Sequence, residues 1–196
     1  MDWPELIGAL LSVWGVWLTA QRRMLSWPVN VVACAVYGWV FLDARLYSDT
    51  LLQLTFAIFI AYGWYRWKQN LGRDRRVRVA RLQPTHALLN LGVGAVGALC
   101  LGYVMHAWTD AALPWLDSAL TAFSLVAQWW QDRRHCAAWW LWIILDAIYV
   151  GEYIYKQLLI TSALYAGFVV LAIIGLRAWR QAEHDEMPAL ATEAQR

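Results

Sequence analysis

Trp139, Trp142 and Asp146 stand at i, i+3 and i+7, so on a helix they share one face, and Tyr149 and Tyr153 extend the same stripe. The stripe lies in an apolar run from Ala138 to Tyr155. Counted from His135 at about 1.5 Å per residue, Asp146 falls about 16 Å into a hydrocarbon layer about 30 Å thick. A charge at that depth costs at least about 3 kcal/mol, so an acid there needs a reason. Two indole faces leading to a carboxylate suit a flat, cationic, hydroxylated solute. The rings attract a positive heterocycle by stacking and cation–π contact, and the carboxylate takes the charge or the hydroxyls of a sugar. Two other readings stand beside this one. Either a neighbouring helix neutralises Asp146 and the indoles are boundary anchors, or Asp146 relays protons.

Other polar residues inside apolar runs are Asn30, Gln53, Asn90 and Gln128. Each could face a central cavity or tie two helices together by a hydrogen bond. Asp49 and Glu152 fall near the end of a run and are expected to be solvated. His86, His106, His135 and His184 have no metal-like spacing and read as surface residues, so no metal is expected. Cys34, Cys100 and Cys136 are too widely spaced for a disulfide framework and read as small buried apolar residues. No Walker loop, Gly-x-Ser-x-Gly elbow or His-Glu-x-x-His pair is present, so neither ATP-driven work nor the familiar hydrolase plans gain support, and no cofactor is implied.

These residues are carried by elements made for lipid. Of 196 residues, 61% are hydrophobic and 15% charged, far from the balance of a soluble domain. Fifteen Trp suit a chain with many boundaries between headgroup and hydrocarbon. A net charge of +2 gives no reason to expect nucleic acid. Apolar stretches run from Leu6 to Ala20, Trp27 to Leu42, Thr50 to Trp67, His86 to Met105, Asp117 to Trp130, Ala138 to Tyr155 and Leu158 to Trp179. They predict seven transmembrane helices in an all-α membrane domain over residues 1–180, with Pro28 and Pro84 marking helix starts. The first run has acids before it and Arg22 and Arg23 after it, the reverse of a cleaved leader, and is expected to stay in the mature chain.

A repeat organises the seven runs. An ungapped shift of 112 residues pairs Trp3 with Trp115, Ser12 with Ser124, Trp17 with Trp129, Arg22 with Arg134 and Trp27 with Trp139. It continues through Tyr37 and Tyr149, Phe56 and Phe168, Gly63 and Gly175, and Trp67 and Trp179. The Trp pairs in one register exceed chance. They predict two three-helix repeats, about 3–69 and 115–181, joined by a linker helix over about 84–106. One linking helix makes the repeats parallel, a plan in which a substrate site lies between them near the midplane. Gly92, Gly94, Gly97 and Ala98 on the linker are expected to pack closely against a neighbour. Lys and Arg gather on the loops after the first, third, fifth and seventh runs, leaving only Arg45 and Lys156 on the other side; the N-terminus is expected outside and the C-terminus inside. Residues 181–196 read as a disordered cytoplasmic tail.

The runs Leu46-Tyr47-Ser48-Asp49 through Gln53, Tyr62-Gly63-Trp64-Tyr65-Arg66-Trp67 and Trp139-x-x-Trp142-x-x-x-Asp146 resemble the PnuC family of bacterial vitamin-precursor transporters. The resemblance covers Leu6 to Trp179 and implies a SWEET-like fold and a homotrimer in the bacterial inner membrane. It also implies uptake of nicotinamide riboside by facilitated diffusion, with cytoplasmic phosphorylation trapping the product for NAD biosynthesis. Trp139, Trp142 and Asp146 map onto the family's substrate motif, with Asn30, Gln53 and Gln128 as weaker carry-overs and Tyr149 on the same face. The family accepts Asn or Asp at the last motif position, so binding there need not use a charge. Thiamine, also cationic and aromatic, is the alternative substrate; a noncatalytic membrane interaction module is the alternative outside transport, and an intramembrane enzyme a further one.

Overall fold

The computed structural model describes residues 3–43, 47–71, 76–108, 113–155, 157 and 159–193. Leu46, Arg45, Arg73, Arg75, Lys156 and Leu158 lie outside the described residues, as do the side chains of Tyr47, Ser48 and Asp49. Backbone polar groups in hydrocarbon must satisfy one another within a segment, and the apolar runs accordingly become helices. Among the described residues there are seven: α1 (Trp3–Ala20), α2 (Ser26–Asp43), α3 (Tyr47–Lys68), α4 (Pro84–Trp108), α5 (Pro114–Asp132), α6 (Ala137–Tyr155) and α7 (Leu159–Glu193). Within these, α4, α6 and the Leu159–Asp185 part of α7 are long and apolar enough to cross a membrane on their own. Pro84 and Pro114 open their helices, and Pro28 sits in the first turn of α2, where a missing N–H leaves no bond broken.

Two expectations about the ends of the chain's elements change. Helix α7 continues past Gln181 to Glu193, where a disordered tail was expected from residue 181. Ala, Gln and Glu are strong helix formers, and they extend a helix already nucleated by packing. On α4, Gly94 packs closely as expected, with Gly102 beyond the expected stripe. A Cβ would lie 2.9 Å from Val126 Cγ2 at Gly94 and 2.5 Å from the Trp115 ring at Gly102, whereas Gly92 meets nothing within 4 Å.

Helix α2 packs between α1 and α3, and α6 between α5 and α7. The two groups of three touch through α1 on α7 and α3 on α5, while α4, among the described residues, packs on α5 alone. Its outer face shows Leu88, Leu89, Val93, Val96 and Leu99 at 62–74% exposure, a surface that suits acyl chains. The largest buried cluster sits at one end of the bundle around Trp27, Trp67, Trp139 and Trp179, with Leu176 and Ile60. Trp67 and Trp179 bridge the two groups with ring centroids 5.7 Å apart. Each also meets the indole of its own group edge-on, Trp27 with Trp67 at 4.9 Å and Trp139 with Trp179 at 5.6 Å.

The same end holds the connections. After α1, Arg22 adopts a left-handed φ of 59°, and after α5, Arg134 adopts 68°. In both turns the next N–H reaches back five residues, Arg23 to the Leu18 carbonyl at 3.0 Å and His135 to the Trp130 carbonyl at 2.9 Å, which closes the helix end. Arginine is a costly choice for this conformation, by about 1–2 kcal/mol. Both guanidinium groups compensate by donating to the α3–α4 connection, Arg22 to the Val77 carbonyl at 3.1 Å and Arg134 to the Arg78 carbonyl at 3.0 Å. One strap of chain, residues 76–80, thus ties down both turns.

His135 is half-buried beneath that strap and not on the surface as expected, its Nδ1 donating to the Ala80 carbonyl at 2.9 Å. Burial pushes the imidazole below its ordinary value, Arg133, Arg134 and His86 push the same way, and the Ala80 bond opposes them. Cys100 departs from expectation too, being exposed where Cys34 and Cys136 are half-buried. Because the folded His135 resists a proton that the unfolded chain accepts, its contribution is intact above the unfolded value of 6.5 and fades as pH falls through it toward the lower folded value. Thermal unfolding in detergent at pH 7.5 and about pH 5.5 is expected to show a larger acid-induced drop in Tm for the native chain than for His135→Asn, whose amide can still donate to Ala80 without titrating.

Candidate functional site

The stripe on α6 faces inward. Asp146, tenth of nineteen residues in that helix, is 6% exposed, and Trp139 is 1% exposed, whereas Trp140, Ile144 and Ile148 on the opposite side are 40–53% exposed. No charge and no hydrogen bond among the described residues offsets the burial of the Asp146 carboxyl. Trp142 is half-buried and packs against two clusters, one with Trp139 and Leu176 and one with Leu120, Ala127 and Leu145. Its indole N–H donates to Gln131 Oε1 at 2.7 Å, which fixes the ring plane. Tyr149 follows one turn beyond Asp146, hydrogen-bonded to the Ser124 side chain of α5. Its ring lies 4.9 Å from Tyr165 of α7 and 5.9 Å from Tyr153.

The sequence-selected residues do not all meet. Gln128, buried on α5, donates through Nε2 to Asp132 Oδ1 at 2.8 Å. Asn30 is on α2, pressed against Gly15 of α1, where a Cβ would collide with its amide, and donates to Thr19 Oγ1 at 3.4 Å. Gln53 is on α3, its Cβ 3.8 Å from where a Cβ at Gly38 would stand. Among the described residues, helices α2 and α6 do not pack on each other, so Asn30 and the α6 face stand apart. Trp139 is committed to packing, its ring 2.7 Å from where a Cβ at Gly175 would sit. Its indole N–H has no acceptor among the described residues, and neither has that of Trp27, 112 residues earlier. That shared state makes the missing acceptor a feature of how these rings pack, not of a ligand in one half. The surface grooves along Thr85 to Val96 of α4 and between Trp3 of α1 and Trp39 of α2 contain none of the selected residues.

Sequence reasoning missed Gln131, Asp132, Thr19, Tyr165 and Ser124. Asp132 is 0% exposed, and Gly63 lets Trp27 and the Asp132 carboxyl approach, since a Cβ there would lie 2.6 Å from Oδ1 and collide with the Trp27 ring. Next to Arg133 and Arg134, it reads from sequence as a solvated end. Glu152, expected to be solvated, is likewise only 6% exposed. The repeat register held a usable signal: Thr19 and Gln131 are 112 apart and both polar, and so are the positions of Gln53 and Tyr165.

With that geometry in place, comparison with known proteins gives one family. The family model described as "Nicotinamide mononucleotide transporter" matches residues 2–181. The nicotinamide riboside transporter PnuC of Escherichia coli strain K12 is 23% identical over 204 residues, covering 91% of this chain and 85% of that protein. The riboflavin/roseoflavin transporter RibM of Streptomyces davaonensis is 24% identical over 196 residues, covering 96% and 90%. The crystal structure of the vitamin B3 transporter PnuC has a similar fold, with a TM-score of 0.76 and 20% identity over 93% of this chain and 83% of that one.

The close approach of α7 to Trp139 can be tested directly. Gly175→Ala adds a methyl where the ring leaves no room, at a cost of about 1–3 kcal/mol for overpacking, against a helix-propensity gain of about 1 kcal/mol. Gly151→Ala in α6, with nothing within 4 Å, keeps only the gain. Thermal unfolding in detergent is expected to place Gly175→Ala below the native chain and Gly151→Ala at or above it.

Proposed function

Since the chain belongs to the nicotinamide mononucleotide transporter family, a multi-pass membrane transporter family, we propose that it carries nicotinamide riboside. The observation behind the substrate is the α6 face, where a half-buried indole, Trp142, stands one turn from Asp146, a central carboxyl with no cationic partner among the described residues. A pyridinium ring stacked on Trp142 gains cation–π energy of about 2 kcal/mol when desolvated. The Asp146 carboxyl accepts from ribose hydroxyls or answers the ring's charge. Tyr149 and Gln128 flank that pair and Trp139 backs it, while Asn30 and Gln53 approach from the half that α6 does not touch. All seven helices cross the membrane on this reading, as two parallel repeats around a linker helix.

Support for the repeats comes from equivalent bonds. Trp179 Nε1 donates to the Thr19 carbonyl and Trp67 Nε1 to the Gln131 carbonyl, both at 3.2 Å, and donors and acceptors are each 112 residues apart. Both turns also meet the same strap, at the same end of the bundle. That end carries most of the Lys and Arg, which favours a cytoplasmic location for it and an external N-terminus in the inner membrane. Movement is proposed as facilitated diffusion by alternating access, with phosphorylation in the cytoplasm retaining the product. A homotrimer would draw on the exposed face of α4.

Riboflavin is the second reading, favoured by the likeness to RibM; thiamine is not, since the relatives' names point to the other two vitamins. Titration of purified protein is expected to give saturable binding of nicotinamide riboside, and liposomes to take it up. Trp142→Ala is expected to weaken binding by about 1–3 kcal/mol, the usual worth of a base stacked on an aromatic side chain, and Asp146→Ala to weaken it roughly tenfold, near 1.4 kcal/mol. Saturable binding of riboflavin without nicotinamide riboside would transfer the assignment, and normal transport by both variants would remove the site.

A further inference from the structure

Each half contains a chain of contacts running from a substrate-facing side chain to the junction between halves, and the two chains coincide under the shift of 112. In the second half Trp142 Nε1 donates to Gln131 Oε1 at 2.7 Å, and the backbone carbonyl of that same Gln131 accepts from Trp67 Nε1 of the first half at 3.2 Å. In the first half Asn30 Nδ2 donates to Thr19 Oγ1 at 3.4 Å, and the Thr19 carbonyl accepts from Trp179 Nε1 of the second half at 3.2 Å. Asn30 and Trp142 are 112 apart, as are Thr19 and Gln131, and Trp67 and Trp179.

Building on the substrate reading above, we propose that Gln131 and Thr19 are positioning residues that couple occupancy of the substrate site to the closure between halves. Each uses its side chain toward the site and its carbonyl toward the opposite half. The physical case rests on where these groups are. Thr19 is 2% and Gln131 9% exposed, and Trp67 and Trp179 are 0% and 1% exposed, so no water replaces a lost partner cheaply. Both acceptor carbonyls belong to the last turn of their helices, α1 and α5, where carbonyls are not all used by the helix itself. A carbonyl there is free to serve as a clasp. The side chain one bond away feels any shift of the same backbone, and a ligand that holds Trp142 against Gln131 therefore holds the clasp shut. Thr19 further donates to the Gly15 carbonyl at 2.8 Å, which orients its oxygen toward Asn30.

Cys136 reports the clasp without an added probe. It is half-buried at the start of α6, its Sγ 4.0 Å from the Leu176 carbonyl of α7, and it packs on the cluster that contains Trp67 and Trp179. Burial pushes its thiol up to about 11, so it reacts slowly while the end is closed. The experiment measures the labelling rate of Cys136 by mass spectrometry, with and without saturating nicotinamide riboside, after binding has been titrated separately for each protein. In the native chain the ligand is expected to slow labelling roughly fivefold or more, the lower range of site-to-site coupling. Trp142→Phe keeps an aromatic face but not the N–H, and Gln131→Leu removes the acceptor. Both are expected to bind ligand and lose the protection, whereas Gln131→Glu, which keeps an oxygen in place, restores most of it. Trp142→Phe, a change of one ring, keeps the test open if Gln131→Leu does not fold. Ligand protection retained in Trp142→Phe overturns the coupling and leaves the substrate reading standing. Failure of the native chain to bind the ligand at all overturns the substrate reading, and the coupling with it.

Discussion

In hydrocarbon, water does not squeeze apolar surfaces together, so two halves of a membrane protein stay joined only by close packing and by hydrogen bonds that have no competitor. Here that junction is concentrated at one end of the bundle, in four buried indoles and two indole-to-carbonyl bonds. Trp is well matched to such a junction, because its ring supplies a large packing area and its single N–H reaches a carbonyl left over at a helix end. Other features follow from it. Gly63 and Gly175 are glycines because Trp27 and Trp139 press on those helix faces. The left-handed arginines are tolerated because turns so short must place the next helix beside these rings.

The strap of residues 76–80 solves a related problem. A connection that leaves α3 and returns at α4 must satisfy its own backbone away from any helix, and it does so on the two turns, through Val77, Arg78 and Ala80. Arg22 and Arg134 serve twice, closing a helix and holding the strap. Charges otherwise unwelcome near a membrane are used at the boundary, where their stems pack and their heads bond to carbonyls.

At the other extreme lies the middle of α6. A buried carboxyl without a partner among the described residues is a local conflict, and conflicts of this kind collect where function requires them. The surroundings of Asp146 are aromatic and not basic: Tyr149, Tyr153 and Tyr165 lie to one side and Trp142 to the other. Such a wall cannot neutralise an acid, but it can flank a flat ring. Separation of α2 from α6 leaves the two halves apart where their polar residues stand, while the clasp holds them together elsewhere.

Much of this was present in the chain of residues itself. Apolar runs bounded by Pro, Arg and Trp determine that seven helices form and roughly where, because lipid leaves the backbone no other way to satisfy its bonds. Spacing alone places Trp139, Trp142, Asp146 and Tyr149 on one face, since helical periodicity is a local property. The matched Trp positions announce a repeat, and the family follows from the same residues. Tertiary structure alone decided which partner each side chain takes. That Trp142 bonds Gln131, that Trp139 is spent on packing against Gly175, that Asp132 and Glu152 are buried, and that His135 lies under the strap all depend on residues from distant helices meeting at one point. Periodicity tells which way a side chain points along its own helix, but burial is set by what stands opposite, and that is known only once the helices are packed.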